Sequence, residues 1–354
     1  MSTKRRPTIA DVAQAAGVAK SAVSYALNGK PGVSEATRQR ILKVADDLEW
    51  KPSPAARALM QQRVGLMGLV LNRPARLLSL EPWYMELISG LQEVLGPLDI
   101  ALALQVVDSR QAEASVYRSW AAKRQVDAVV VTDVSREDNR LDLLRNLGLP
   151  AVVLSPPVAA SAGQPGFGPG PGQSVTPWLW TDDRAGMSTV LRYLVALGHS
   201  RIARVTGLET YAHTMVRTAA MITEAAALGI AEPLLMPTDY TQEAGANATR
   251  NLLISPYRPS AIVYDNDLMA ATALQVAHEL NVAVPGELSV VSWDDSTIAR
   301  LTSPRLTALR FDIRGYGMRV AQALNLVADG VPVASGASGG VGLEVRGSTG
   351  PPPS

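Results

Sequence analysis

From Val64 to about residue 295 the chain alternates short apolar runs with longer amphipathic stretches, and that rhythm restricts the fold more than any other feature. The runs are VGLMGLVL (64–71), IALALQVV (100–107), DAVVVTD (127–133), PAVVLS (150–155), RIARVTG (201–207), AIVYDN (261–266) and LSVVSWDD (288–295). Each is short, rich in β-branched residues and apolar on both faces, as a strand buried under helices must be. WYMELISGLQEVL and MAATALQVAHEL, lying between runs, repeat their apolar residues at helical spacing. Strand, helix, strand in succession predicts a parallel α/β sheet. About 280 residues of this pattern are enough for two doubly wound halves, with ligand held between them at the carboxyl ends of strands.

The first sixty residues follow a different plan. Thr8 and Asp11 form a capping-box pattern, Ile9, Val12, Ala13 and Ala16 recur at helical spacing, and Gly17 stops the helix. A second helix is predicted over Lys20–Asn28. NGKPG (28–32) ends it, and Ser34 caps a third helix running to about Leu48. Two short helices joined by a glycine turn and closed by a third make a helix-turn-helix. Val18, Val23 and Leu27 face inward in this scheme, leaving Lys20, Ser21, Ser24, Tyr25 and Asn28 outside. Ser53 and Pro54 then open a helix too short to stand alone in water. Its Ala56 and Leu59 share a face, with Arg57 and Arg63 nearby.

Charge separates the two regions. Residues 1–63 hold eleven Lys or Arg against five Asp or Glu, and the remainder hold 22 against 27. A basic head on a mildly acidic body suits a polyanionic partner. The chain has no cysteine, so disulfides, thiolate zinc sites and cysteine nucleophiles are excluded. None of His199, His213 and His278 lies in a nucleophile elbow or a metal-spaced motif, and no phosphate-binding glycine loop follows a strand. Neither catalysis nor a cofactor or metal is expected. No apolar run approaches the ~18 residues that span a bilayer. No apolar segment follows the basic residues of MSTKRRPTIADVAQ, so the expected location is the cytoplasm.

Residues 8–59, TIADVAQAAGVAKSAVSYALNGKPGVSEATRQRILKVADDLEWKPSPAARAL, resemble the DNA-binding head and hinge of the lactose-repressor/galactose-repressor family of bacterial regulators. TDDRAG (181–186), LVALGHSRIARVTG (194–207), NDLMA (266–270) and VPGELSVVSWDDS (284–296) are similar to that family's effector domain, a relative of the periplasmic sugar-binding proteins. The resemblance implies an all-α helix-turn-helix head over 1–51, a hinge helix over 52–63 and a two-lobed α/β, periplasmic-binding-protein-like (type I) domain over 64–347. Its crossings between lobes fall near 198, 309 and 331. Lobe 1 is then 64–197 with 310–330, lobe 2 is 199–308 with 332–347, and 348–354 is a disordered tail without a tetramerising heptad helix.

By the same resemblance Lys20, Ser21 and Tyr25 read operator bases and Leu59 wedges into the minor groove. Thr8, Ser24, Asn28, Ala56 and Arg57 complete the DNA-contacting set. Ala19 stands where the family usually has a capping Ser or Thr, and Tyr25 where Arg or His is common. In the cleft the expected effector contacts are Trp83, Tyr84, Arg217, Asn266 and Asp294. Alternatives stay open: Trp83 and Tyr84 as core residues, Arg217 paired with Glu209 or Glu224, Asp182 and Asp267 as helix caps. Ala220, Met221 and Ser292 depart from the family pattern. The Gly/Pro-rich segment 155–177 is longer than the family norm, with a composition that disfavours regular structure. The implied protein is a dimeric repressor of a palindromic double-stranded operator, switched by a small molecule, a sugar before others. A solute-binding protein of the same fold is the competing reading.

Overall fold

The computed structural model describes residues 7–27, 31–48, 50, 63–73, 82–159, 166–168 and 176–353. The chain divides into two compact units, Met1–Gly65 and Leu66–Ser354. The first holds α1 (Ile9–Ala16), α2 (Lys20–Leu27) and α3 (Glu35–Asp47). Val12, Ala13, Ala16, Val23, Ala26, Ile41 and Ala45 form its core, with Val18 and Leu27 packed against them. Asp11 Oδ2 accepts from both the Thr8 amide (2.6 Å) and the Thr8 hydroxyl (2.7 Å), which closes the start of α1. Gly17 ends α1 at φ 67°, a left-handed position that costs glycine nothing. The hinge helix expected over 52–63 lies, but for Arg63, outside the described residues.

The second unit contains two six-stranded sheets. The first is built from β1 (Leu66–Asn72), β2 (Ala101–Val107), β3 (Ala128–Val131), β4 (Ala151–Leu154), β5 (Trp178–Thr181) and β11 (Gly336–Ser338), in the order β11-β5-β4-β3-β1-β2, all parallel. One face carries α4 (Pro82–Leu95) and α12 (Ile313–Ala328); the other carries α5 (Arg110–Ala122) and α6 (Arg140–Leu147). The second sheet has β6 (Ile202–Thr206), β7 (Leu234–Pro237), β8 (Ala261–Tyr264), β9 (Ser289–Ser292), β10 (Thr307–Phe311) and β12 (Val341–Glu344), ordered β12-β10-β9-β8-β6-β7. Only β12 runs antiparallel, against β10. Helices α7 (Asp183–Ala196) and α8 (Ala212–Ala227) cover one face, α9 (Gln242–Ile254) and α10 (Asp267–Glu279) the other; α11 (Thr297–Leu301) follows β9.

The expected lobe boundaries need correcting. The first crossing falls between β5 and α7, ahead of residue 198, because Met187, Val190, Leu191 and Leu194 of α7 pack with Ile202 and Met221 of the second lobe. The second lies between Phe311 and Ile313, since α12 packs on α4. The third is at 339–340 rather than 331, because Gly336–Ser338 still pairs with β5. The tail is not disordered over its described part. The Ser348 hydroxyl donates to the Val290 carbonyl (2.6 Å) and accepts from the Thr307 amide (2.8 Å). His199 is buried and reaches Ser260, Ser289 and the Gly350 carbonyl through its two ring nitrogens. Within 155–177, Val158 and Phe167 exchange a pair of backbone hydrogen bonds (2.8 and 2.9 Å), and residues 160–165 and 169–175 lie outside the described set.

Candidate functional site

Both sheets of the second unit send the carboxyl ends of their strands toward a shared cavity of about 710 Å³. Arg73 follows β1, Asp133 follows β3, Asp183 follows β5, Asp265 and Asn266 follow β8, and Trp293 and Asp294 follow β9. This is where parallel α/β sheets expose loop residues and helix N-termini, while the strands themselves stay buried.

Arg217, on α8, lies at the centre. Its guanidinium sits 4.2 Å from the ring centroid of the buried Trp293. Its carboxylate neighbours are Asp183 (Nε to Oδ1, 3.3 Å) and Asp265 (Nη1 to Oδ2, 3.9 Å), not Glu209 or Glu224; Glu224 pairs with Arg192. Asp265 is in turn gripped by both arms of the buried Arg204 at 2.7 Å. Burial alone would raise the Asp265 pKa, but the Arg204 and Arg217 charges outweigh it and hold the carboxyl below its usual range. At Asp183 burial prevails over the attraction of Arg217, and its pKa is raised. Asp183 and Asp265 thus differ in ionisation tendency across one arginine.

Across the cavity Arg73 donates to Tyr211 Oη (2.9 Å) and pairs with Asp133 (3.1 Å), whose Oδ2 accepts from Tyr84 Oη (2.8 Å). His213 Nε2 lies 2.6 Å from Tyr240 Oη. Burial, aided by the Arg217 charge, pushes the His213 pKa down to about 3, so the ring is neutral at neutral pH. Its hydrogen-bonding role toward Tyr240 therefore depends on tautomer alone.

All five expected cleft residues line this cavity. Tyr84 does so while buried in the first lobe's core, edge-on to Trp83 with centroids 5.1 Å apart. Asn266 is largely committed to structure: Oδ1 caps α10 by accepting from the Met269 amide (2.8 Å), and Nδ2 donates to the Tyr240 carbonyl (3.2 Å). One amide hydrogen remains for anything else. Asp294 is half-buried, and Ser292 Oγ fixes its backbone by donating to its carbonyl and accepting from its amide. Asp182 caps α7 as expected, whereas the cap of α10 is Asn266 and not Asp267. The other departures fill space: Met221 is wholly buried and Ala220 nearly so. Arg73, Asp133, Asp183, His213, Tyr240 and Asp265 escaped the sequence reading. Asp133 and Asp265 were visible there as polar residues closing the runs DAVVVTD and AIVYDN. Among the described residues no cluster of His, Asp or Glu is arranged to hold a metal.

In the head, Lys20, Ser21 and Tyr25 are exposed along α2, and the Tyr25 ring lies against Gly32, where an added Cβ would meet it at 3.3 Å. Ser24 is half-buried rather than fully outward, and Thr8 is occupied with Asp11. The Ala19 carbonyl starts α2 by accepting from the amides of Ala22 and Val23. Asn28, Ala56, Arg57 and Leu59 lie outside the described residues. No helix among the described residues is long and apolar enough to cross a membrane.

Comparison with known proteins agrees with both units. Residues 8–53 match the family described as "Bacterial regulatory proteins, lacI family", and residues 191–349 match "Periplasmic binding protein-like domain". The HTH-type transcriptional regulator reg1 of Streptomyces lividans is 30% identical over 92% of this chain and 91% of its own length. A LacI family transcriptional regulator from Bifidobacterium animalis subsp. lactis superposes with a TM-score of 0.71 at 34% identity, covering 82% of this chain and 99% of that one. A complex of the transcriptional regulator CelR with cellobiose superposes with a TM-score of 0.72 at 25% identity, over 97% of this chain and all of that one. On its helix-turn-helix head, its two-lobed cleft domain and these likenesses, the chain belongs to the lacI family of bacterial transcriptional regulators.

Proposed function

We propose that this regulator is a cytoplasmic homodimeric repressor whose hold on a palindromic operator is set by a sugar in the interlobe cleft. The observation that carries the reading is the cleft, a cavity that draws polar side chains from both lobes onto the stacked Arg217–Trp293 pair. A cavity lined by the half-buried Trp83 ring, the planar donor fork of Arg217 and several carboxylates suits a ligand with hydroxyls on its rim and an apolar face. Trp83, Tyr84, Arg217, Asn266 and Asp294 are its proposed contacts, and the cellobiose held by the CelR relative makes a disaccharide the first to try. A ligand bridging two lobes changes the angle between them when it binds one arrangement better than the other.

Lys20, Ser21 and Tyr25 are the proposed base readers, with Thr8, Ser24, Asn28 and the hinge residues Ala56, Arg57 and Leu59 placing the head on the duplex. Helix-turn-helix heads read paired half-sites as dimers. Exposed apolar residues on the outermost strands β2 (Leu104, Val106) and β7 (Leu234) support an association of two bodies through those edges.

Selection of the full-length protein against a random double-stranded DNA pool at moderate salt tests the reading. The expected result is one enriched palindrome, lost in the Lys20→Ala/Tyr25→Ala variant and weakened or tightened by cellobiose or another disaccharide. Enrichment of a non-palindromic site would remove the twofold repressor from the account.

A further inference from the structure

Arg73 is set among aromatic rings of both lobes. It leaves the first lobe just after β1, and its guanidinium lies 5.4 Å from the ring centroid of Tyr211, 5.9 Å from that of Tyr240 and 6.0 Å from that of Tyr84. Tyr84 belongs to the first lobe; Tyr211 and Tyr240 belong to the second. The charge is completed by Asp133 at 3.1 Å and by donation to Tyr211 Oη at 2.9 Å. Rings within about 6 Å attract a guanidinium through their faces, and aromatic cages of this kind are how proteins hold quaternary ammonium ligands. Here the occupant is the chain's own side chain, and it joins the lobes.

The surrounding backbone points the same way. The Ala212 amide donates to the Val134 carbonyl (2.9 Å), and Ser135 and Tyr211 form an antiparallel bridge, so main chain from both lobes is paired next to the Arg73 cage. Asp133, whose carboxylate meets Arg73 and Tyr84, adopts φ 53°, a left-handed conformation that is uncommon outside glycine. Tyr84, Asp133, Tyr240 and Arg73 also line the cavity, so a ligand in the cleft touches the walls of the cage.

We propose that Arg73 is an interlobe latch, a cation tethered to the first lobe that docks in a tyrosine cage completed by the second and holds the two lobes in the arrangement seen here. This rests on the reading of the cleft as the regulatory site, because its consequence is that an effector acts by strengthening or releasing the latch. With the cage intact the 134–135 and 211–212 backbone pairing is kept; with the cation gone that pairing opens while each lobe's own sheet stays folded.

Hydrogen exchange on the full-length protein, without operator or effector, tests the latch itself. Amide hydrogen exchange is followed at Ala212, whose N–H crosses to the Val134 carbonyl, with core strands β3 and β8 as internal standards, in the wild type and in Arg73→Ala, Arg73→Lys and Tyr211→Phe. Arg73→Ala is expected to speed exchange at Ala212 by about tenfold or more with the core strands unchanged, as expected of local rather than global opening. Tyr211→Phe, which keeps the ring and loses only the acceptor, is expected to give a smaller rise. Adding guanidinium chloride to Arg73→Ala at tens of millimolar, far below denaturing levels, is expected to slow that exchange again, with sodium chloride at equal strength having no effect. Unchanged Ala212 protection in Arg73→Ala overturns the latch. So does loss of protection in the core strands of Tyr211→Phe to the same extent as at Ala212, which would make the contact merely structural. Operator affinity measured on the same proteins separates the two readings: a latch that opens without altering affinity leaves the latch standing and removes the cleft from control.

Discussion

His213 shows at the scale of one residue how this cleft is tuned. Its ring stays beside Tyr240 Oη and near Arg217, and burial with that positive neighbour pushes its pKa down to about 3. In the unfolded chain the same ring titrates near 6.5. Between those values the unfolded chain takes up a proton that the folded chain refuses. The contribution of His213 to stability is therefore complete above about pH 6.5 and falls away as pH drops toward 3. Replacing it with Gln, which still reaches Tyr240, is expected to flatten the stability difference between pH 7 and pH 4.5 by on the order of 1–3 kcal/mol, read from urea unfolding at both values. Asp265 acts in a lower window: its depressed pKa supplies stability above about pH 4 that is lost only under stronger acid, so it does not mimic the histidine. A wild type and a His213→Gln variant with parallel pH profiles would show that the fold does not hold the histidine neutral. These residues also show what a sequence discloses about a site. Arg217 and Asp294 were expected in the cleft from the family resemblance, and both line the cavity. Asp183 was hidden beside Asp182, because two adjacent acids at a helix start leave open which one caps and which one turns inward. Arg73 has no local signal, since its role depends on Tyr211 and Tyr240 far along the chain.

At the scale of elements, α4 and α12 of the first lobe pack backbone against backbone. A Cβ on Gly90 would stand 2.0 Å from the Arg314 carbonyl oxygen, and one on Gly317 would stand 2.4 Å from the Leu87 carbonyl oxygen. Each glycine is the space into which the other helix's backbone fits. Gly90→Ala gains helix propensity of about 1 kcal/mol and in return forces two packed backbones apart. Overpacking with no flexible side chain to yield outweighs that gain, so the variant is expected to lose about 1–3 kcal/mol, measured by thermal unfolding. A more stable Gly90→Ala would mean that the helices slide apart freely, which the buried Leu87, Leu91, Val320 and Leu324 between them argue against. The strands that sequence reading found, β1, β2, β3, β4, β6, β8 and β9, are written as mainly apolar runs. It missed β5, β7, β10, β11 and β12, whose runs are cut short by proline, glycine or polar residues and which pair with a neighbour already in place. The same reason applies to the tail, whose glycines and prolines give no periodic signal, yet whose Ser348 satisfies a buried amide of β10 and a carbonyl of β9.

For the whole molecule the relevant quantity is how charge is divided along the chain. The first 63 residues carry an excess of six positive charges and the rest an excess of five negative ones, so an overall charge near zero conceals two opposed regions. A polyanionic duplex attracts the head and repels the body, which favours approach in one orientation. Every phosphate neutralised releases condensed counterions, and affinity then falls with salt in proportion to the number of contacts. For a dimer making about six to ten such contacts, operator affinity is expected to fall by about 10³–10⁵ between 50 and 200 mM salt. Lys20 and Tyr25 belong to a different part of the same measurement. They stand exposed on α2, the helix proposed above to read base edges. Substituting Lys20 by Ala should therefore cost about 1–3 kcal/mol on the selected palindrome, much less on random DNA, and leave the salt slope nearly unchanged if it reads a base. A slope reduced by about one, with equal losses on both DNAs, would place Lys20 on the phosphate backbone and leave base reading to Ser21 and Tyr25.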